Sequence, residues 1–145
     1  MENLFNGCGT ALLTPFRETE VDYDAFAATV DWQVTAGVDF LVPLGTTGET
    51  PTLTESEKLQ ILEVTRQHAG GRPVVAGVGS NSVGATLANM RLLQDAVAEA
   101  QAAGVDIRYV WSGPTTGKND AAQIECINNA YADNANVILL ASNGP

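Results

Sequence analysis

Residues 41–50 of the chain read Leu41-Val42-Pro43-Leu44-Gly45-Thr46-Thr47-Gly48-Glu49-Thr50. The apolar start of this stretch is typical of a strand that is buried on both faces, as the strands of parallel sheets are. The polar remainder places glycines, small hydroxyls and a carboxylate directly after the strand. Free backbone N–H groups and hydroxyls at such a strand end can hold a small anion. The stretch therefore predicts a parallel α/β fold with a candidate anion site where this strand ends.

The rest of the chain alternates between two apolar patterns. Short runs rich in branched residues predict strands at Gly9–Leu13, Phe40–Leu44, Pro73–Val78, Ile107–Trp111 and Asn136–Leu140. Amphipathic stretches predict helices at Asp22–Ala36, Glu55–Ala69, Ala85–Ala103 and Asp120–Ala132. The resulting βαβαβαβαβ order predicts a parallel sheet flanked by helices. We expect an open sheet or a partial TIM barrel, because so few strands cannot close around a filled interior.

Two helix ends carry recognisable signals. Thr54 and Glu57 have the spacing of a capping box before the second helix, and Gly37 follows the first helix as a stop. The residues expected to line one side of each helix are Phe26, Val30 and Val34 on the first and Leu59, Leu62 and Arg66 on the second. These sides are predicted to face the sheet.

The composition limits the partners of the chain. Its 145 residues carry a formal net charge of −10, and the seven basic residues are scattered singly. Nucleic acids and anionic membranes are therefore poor partners, and no apolar run is long enough to span a bilayer. The first residues lack a signal-peptide pattern, and Cys8 and Cys126 lie far apart, so we expect a cytoplasmic protein with buried free thiols. No cluster has the spacing of metal ligands, so no metal or cofactor is predicted.

Four motifs along residues 7–82 carry a family resemblance. They are Gly9-Thr10-Ala11-Leu12-Leu13-Thr14-Pro15-Phe16, Trp32-Gln33, the run GTTGETPTLT at Gly45–Thr54, and Ala76-Gly77-Val78-Gly79-Ser80-Asn81-Ser82. In this order they resemble the N-terminal part of the dihydrodipicolinate synthase and N-acetylneuraminate lyase family, TIM barrels about twice this length and usually homotetramers. The resemblance implies that Thr46, Thr47 and Gly48 bind pyruvate or another small carboxylate, weakly in this chain, with Thr47 or its neighbour in a proton relay. The sequence pattern alone, without the resemblance, favours a tight turn in which the threonines cap the strand.

The catalytic groups that the family resemblance would require are not recognisable in the second half. The family places a catalytic tyrosine in the fifth strand and a Schiff-base lysine in the sixth, whereas Leu140 or Ala141 falls at the tyrosine position here. A Schiff-base lysine needs a pKa that is lowered by burial. Lys58 is predicted to lie on a helix surface and Lys118 in a solvated loop. His68 is expected to bond the terminal carbonyls of its helix. No catalytic residue is therefore assigned.

Residues 100–143 resemble a different family, the first domain of periplasmic sugar-binding proteins, which has a flavodoxin-like fold. That resemblance implies that Ser142 and Asn143 could line a sugar site. The leading hypothesis is therefore a single α/β domain over residues 1–145 that is an engineered or recombined chimera without native activity. Its residues 1–83 would derive from a TIM barrel and its residues 84–145 from a periplasmic binding protein.

Two alternatives of a different class stay open. The chain could be a divergent or truncated dihydrodipicolinate synthase-like lyase that acts on pyruvate, with the missing half and its lysine supplied by another chain. It could instead be a binding module for sugars or small acids. In each case the exposed first and last strands would allow a homodimer to form through the sheet edges.

Overall fold

The computed structural model describes residues 7–105, 109–111 and 137–140. These residues divide into two compact units, with the boundary between Gly77 and Val78. The elements of the first unit are β1 (Gly9–Ala11), β2 (Phe16–Arg17), β3 (Glu20–Val21), α1 (Tyr23–Ala36), β4 (Phe40–Val42), α2 (Glu55–His68) and β5 (Val74–Gly77). Two short 3-10 helices, Thr46–Gly48 and Thr50–Thr52, lie between β4 and α2. The described elements of the second unit are α3 (Val83–Ala102), β6 (Tyr109–Trp111) and β7 (Val137–Leu140).

The strands of both units are parallel where the apolar runs predict strands. In the first unit β4 lies between β1 and β5, with Gly9 paired to Phe40 and Leu41 paired to Val74. In the second unit β6 pairs in parallel with β7, Tyr109 opposite Val137. The prediction of an α/β fold with a parallel sheet is therefore confirmed. The predicted helix at 120–132 lies outside the described residues.

A small antiparallel hairpin precedes α1 and was not predicted. β2 pairs with β3, Phe16 opposite Val21 and Arg17 opposite Glu20. Glu18 turns the hairpin with φ at 57°, a left-handed backbone conformation. Two-residue strands are too short to carry an alternating pattern, and the turn lacks the Asn-Gly or Asp-Gly pair that usually marks a hairpin.

The core of the first unit lies between α1, α2 and the sheet. On α1 the expected side is confirmed, since Phe26 and Val30 are fully buried and Val34 packs at the edge of the same cluster. On α2 the expected side is wrong, because Ile61 and Thr65 are the buried residues, while Leu62 is only partly buried. Thr65 can be buried because its hydroxyl donates to the carbonyl of Ile61 at 2.7 Å, which satisfies the polar group within the helix.

The starts of the helices follow from local hydrogen bonds. The predicted capping box is confirmed: the Thr54 N–H donates to Glu57 Oε2 at 2.7 Å, and the Glu57 N–H donates to Thr54 Oγ1 at 3.3 Å. Asp22 caps α1 in the same way by accepting from the Ala25 N–H at 3.0 Å. Gly37 ends α1 with φ at 88°, as its position after the helix predicts.

The capping box makes stability depend on pH. Hydrogen bonds from the backbone and then the hydroxyl of Thr54 hold the pKa of Glu57 below its ordinary value of 4.5. A carboxyl whose pKa is lower in the folded state stabilises the fold above its unfolded-state pKa, and this contribution is lost as the pH falls through the folded-state value. The Ala25 N–H and then Arg17 lower the pKa of Asp22, with the same sign of effect. Urea denaturation should therefore give a lower free energy of unfolding below pH 4.5 than at neutral pH.

Two variants test whether the capping box causes part of the pH dependence of the free energy of unfolding. Glu57→Gln should flatten the fall of stability at acid pH, because the remaining dependence then comes from other carboxyls such as Asp22. Glu55→Gln is the matched control in the same helical turn and leaves both hydrogen bonds of the box in place. If both variants gave the same pH profile as the parent chain, the capping box would not be the source of the effect.

Two side chains differ from the sequence expectations. Cys8 is exposed rather than buried, because it precedes β1 and is held there through its backbone: its N–H donates to Asp39 Oδ2 at 2.6 Å, and its carbonyl accepts from the Asp39 N–H at 2.8 Å. Cys126 lies outside the described residues. His68 does not bond the terminal carbonyls of α2 in the way expected, since its Nδ1 lies 2.9 Å from Asp31 Oδ1 on α1. Among the described residues, no helix is long and apolar enough to cross a membrane.

Candidate functional site

The segment Gly45–Thr50, here called the threonine loop, follows β4 and contains the first 3-10 helix and the first residue of the second. Leu44 precedes it and is buried in the core with φ at 58°. Glu49, near the other end, has φ at 51°. Left-handed backbone is uncommon for residues other than glycine, and a bulky residue such as leucine adopts it only where its surroundings determine the conformation. The loop is therefore held in a sharply turned shape between two strained residues.

The turn leaves hydrogen-bond donors unused. Within it the Gly48 N–H donates to the Gly45 carbonyl at 3.0 Å, and the Glu49 N–H donates to the Thr46 carbonyl at 3.2 Å. Across the described part of the chain, the N–H groups and hydroxyls of Thr46 and Thr47 have no hydrogen-bond partner, and both side chains are exposed. A pair of adjacent N–H groups with flanking hydroxyls can donate hydrogen bonds to the oxygens of a carboxylate.

Two buried threonine hydroxyls hold the backbone of the threonine loop in place. Thr14 Oγ1, beyond the end of β1, donates to the Gly48 carbonyl at 2.8 Å. Thr50 Oγ1 donates to the Gly45 carbonyl at 3.0 Å. Both threonines are only 6% exposed, so water does not compete for these bonds. The carbonyls of Gly45 and Gly48 are thus bonded to buried hydroxyls, whereas the side chains of Thr46 and Thr47 are exposed.

Gly77, the last residue of β5, lies against the backbone that leads into the threonine loop. Its N–H donates to the Pro43 carbonyl at 2.9 Å. A Cβ at this position would overlap the carbonyl oxygen of Leu44 and lie 3.0 Å from the nitrogen of Gly45. The backbone before the threonine loop therefore passes over Gly77 at a distance that only glycine permits.

The structure brings some of the predicted site residues together. Thr46, Thr47 and Gly48 share one turn, with the threonines exposed and Gly48 buried against the Leu12 carbonyl region. Ser142 and Asn143, predicted for a sugar site, lie outside the described residues. The sequence analysis assigns no role to Thr14, Thr50 or Gly77. Thr14 nevertheless follows an apolar run, as the threonine loop follows the run Leu41–Leu44. That polar residue at a strand end is the signal that could have identified it.

The ionisable groups of the described residues limit the chemistry. Lys58 lies in the first part of α2 and is half-buried, while Lys118 lies outside the described residues. Within the described ranges no group of three or more His, Cys, Asp and Glu side chains could hold a metal ion. The threonine loop itself carries one charged side chain, the carboxylate of Glu49, and no cation. An anion would therefore be held by neutral donors rather than by an ion pair.

Comparisons with known proteins relate these residues to one family. Residues 4–108 match the family model described as the Dihydrodipicolinate synthetase family. A 4-hydroxy-tetrahydrodipicolinate synthase of Hyphomonas neptunium is 42% identical over 133 residues, which cover 89% of this chain and 43% of that protein. The protein of the same name from Parabacteroides distasonis is 56% identical over 77 residues, 52% of this chain and 26% of that protein. The chain thus spans less than half the length of these curated relatives.

The fold comparison agrees with the sequence comparison. The crystal structure of dihydrodipicolinate synthase from Aquifex aeolicus superimposes with a TM-score of 0.58 and 28% identity, over 94% of this chain and 44% of that one. The fold of this chain is therefore similar to part of a solved dihydrodipicolinate synthase.

The hypothesis of a chimera is wrong. The proposed change of origin between residues 83 and 84 lies inside the family match, which runs through residue 108. The Hyphomonas neptunium relative matches 89% of the chain, which is more than residues 1–108 contain. One family therefore accounts for residues on both sides of the proposed junction, and the periplasmic binding-protein origin of the second half has no support.

Proposed function

Since the chain belongs to the dihydrodipicolinate synthetase family, we propose that it forms the carboxylate-binding part of a pyruvate-dependent lyase of this family. The threonine loop holds the carboxylate of pyruvate, through Thr46, Thr47 and the turn at Gly48. The parallel strands and helices are the first part of a TIM barrel, in which ligands bind at the carboxyl ends of the strands. The observation that carries the proposal is the pair of exposed threonines with unused N–H and hydroxyl donors directly after β4.

The donors of the threonine loop set the expected strength of binding. A carboxylate would accept hydrogen bonds from the N–H groups and hydroxyls of Thr46 and Thr47, which stand on adjacent residues of one turn. Hydrogen bonds to a charged group are stronger than neutral ones, and they need no full positive charge. Because the loop contains no cation to pair with the anion, we expect a Kd on the order of 1 mM or weaker, which corresponds to about 4 kcal/mol.

The covalent chemistry of the family needs groups outside the threonine loop. A lysine amine adds to the keto carbon of pyruvate and water leaves, which forms the Schiff base. Lys58 does not fit this role, since it lies on α2 between Glu57 and Leu59 rather than at a strand end. The part of the chain that the structure describes therefore offers no lysine for this step. The described residues contribute binding and orientation of the substrate.

A titration with pyruvate tests the proposal. In an ¹⁵N–¹H correlation spectrum, the amide signals of Thr46 and Thr47 should shift and saturate as pyruvate is added. The double variant Thr46→Val/Thr47→Val keeps the N–H groups but loses both hydroxyls, so its affinity should fall by about tenfold or more, as expected for hydrogen bonds to a charged group. Thr35→Val, an exposed threonine on α1, is the matched control and should bind as the parent chain does.

A second ligand identifies the group that is recognised. Acetone has the ketone of pyruvate but no carboxylate, so it should not shift the signals of the threonine loop. The proposal fails if pyruvate causes no saturable shift at Thr46 and Thr47, or if the double variant binds pyruvate as tightly as the parent chain does. Equal shifts with acetone would also contradict it, because the carboxylate would then not be the group that binds.

A further inference from the structure

The threonine loop is tied to a distant part of the chain by one buried hydroxyl. Thr14 Oγ1 donates to the Gly48 carbonyl at 2.8 Å across a sequence separation of 34 residues, and Thr14 is only 6% exposed. The contact is close on both sides, because a Cβ on Gly48 would lie 3.2 Å from the Leu12 carbonyl oxygen and 3.4 Å from Thr14 Oγ1. The loop therefore rests directly on the segment that follows β1.

The threonine loop needs such a tie because its own backbone does not favour its shape. Leu44 and Glu49 bracket the exposed threonines with φ at 58° and 51°. A strained backbone persists only where surrounding contacts determine it. The hydrogen bonds from the Gly48 and Glu49 N–H groups join residues of the loop to each other. They therefore do not fix the position of the loop relative to the sheet. The Thr14 bond comes from another strand end and fixes the loop relative to the sheet.

We propose that Thr14 is a positioning residue that holds the threonine loop in its ligand-ready conformation before any ligand binds. By bonding the Gly48 carbonyl, it holds the turn in the conformation in which the N–H groups of Thr46 and Thr47 have no partner within the described residues. Donors that are already in place lose less conformational freedom on binding, which raises affinity. The identity of the ligand rests on the proposed function, but the role of Thr14 in the shape of the loop does not.

The first test needs no ligand. Hydrogen exchange of the Gly48 and Glu49 amides, measured by NMR, reports how often the loop opens. Thr14→Val keeps the shape of the side chain and removes the hydroxyl, so these amides should exchange about three- to tenfold faster, the factor expected for one buried neutral hydrogen bond. Thr14→Ser keeps the hydroxyl and should restore the slower exchange.

A matched control separates this effect from a general loss of stability. Thr65 is also fully buried, and its hydroxyl donates to the Ile61 carbonyl within α2. Thr65→Val removes a hydroxyl of the same kind away from the loop, so the Gly48 and Glu49 amides should exchange as in the parent chain. If Thr14→Val fails to fold, the hydroxyl proton of Thr14 in the parent chain decides. It should exchange slowly enough to be observed and lie close to Gly48.

Pyruvate titration of the same variants completes the test. Thr14→Val should bind pyruvate about three- to tenfold more weakly, while Thr14→Ser and Thr65→Val bind it as the parent chain does. Failure of the parent chain to bind pyruvate would remove the proposed function, and the exchange experiment would still decide the role of Thr14. Unchanged exchange of Gly48 and Glu49 in Thr14→Val, or a Thr14 hydroxyl proton in rapid exchange with water, would overturn that role.

Discussion

Replacing Gly77 with alanine is expected to lower the free energy of unfolding by about 3 kcal/mol and to displace the threonine loop. The new Cβ would overlap the carbonyl oxygen of Leu44 and lie 2.7 Å from its carbonyl carbon. These are backbone atoms, so no side chain can rotate away to make room. The strand end would have to separate from the loop, and the bond from the Gly77 N–H to the Pro43 carbonyl would be lost.

Urea denaturation and amide spectra measure both parts of this result for Gly77→Ala. We expect the lower stability together with changed signals at Thr46 and Thr47, and with loss of pyruvate binding. Gly84→Ala is the matched control on α3, where a Cβ meets nothing closer than 3.7 Å and helix propensity favours alanine by up to about 1 kcal/mol. A Gly77→Ala chain with parental stability and unchanged loop signals would contradict the close approach described at β5.

Replacing Phe26 with alanine is expected to cost about 3–5 kcal/mol of unfolding free energy. Phe26 is 1% exposed and is the largest of the fully buried side chains in the described residues. Its removal would leave a cavity between α1 and the sheet as well as losing the transfer free energy of the ring. Since domains are stable by about 5–15 kcal/mol, this loss is a large part of the total.

Trp32→Ala on the same helix is the control for Phe26→Ala. Trp32 is also aromatic, but it is 66% exposed, so its truncation should change the free energy of unfolding by less than about 1 kcal/mol. Both variants can be compared by urea denaturation at one temperature. Equal losses for the two variants would mean that the core is not centred on this face of α1.

Most of the fold could be predicted from local pattern. Parallel strands are buried on both faces, so β4 and β5 appear in the sequence as continuous apolar runs. The start of α2 could be predicted from Thr54 and Glu57, because a capping box depends only on residues three apart. Such signals are local and do not depend on how the chain packs.

Features that depend on distant contacts could not be predicted in the same way. The bond from Thr14 to Gly48 and the approach of Leu44 to Gly77 join residues that are far apart in sequence. The buried side of α2 was predicted incorrectly because a self-satisfied threonine, Thr65, takes a core position that pattern assigns to apolar residues. These errors arise because tertiary packing decides between several sides of a helix that are similarly apolar.

The candidate site and the family could be predicted to different degrees. The motif around Thr46 and Thr47 is specific, and it identified the family that the comparisons support. The short motifs within residues 100–143 do not identify a family, because small residues at helix ends and branched residues in strands recur in many parallel α/β proteins. Their resemblance to a second family reflected shared architecture rather than shared origin.

A crystal structure of the chain with pyruvate would test the central claim most directly. We predict that the pyruvate carboxylate lies at the threonine loop, with its oxygens about 3 Å from the N–H groups or hydroxyls of Thr46 and Thr47. The Thr14 bond to Gly48 should be unchanged from the unliganded structure. Pyruvate bound elsewhere, or a threonine loop that stays empty at saturating pyruvate, would contradict the account.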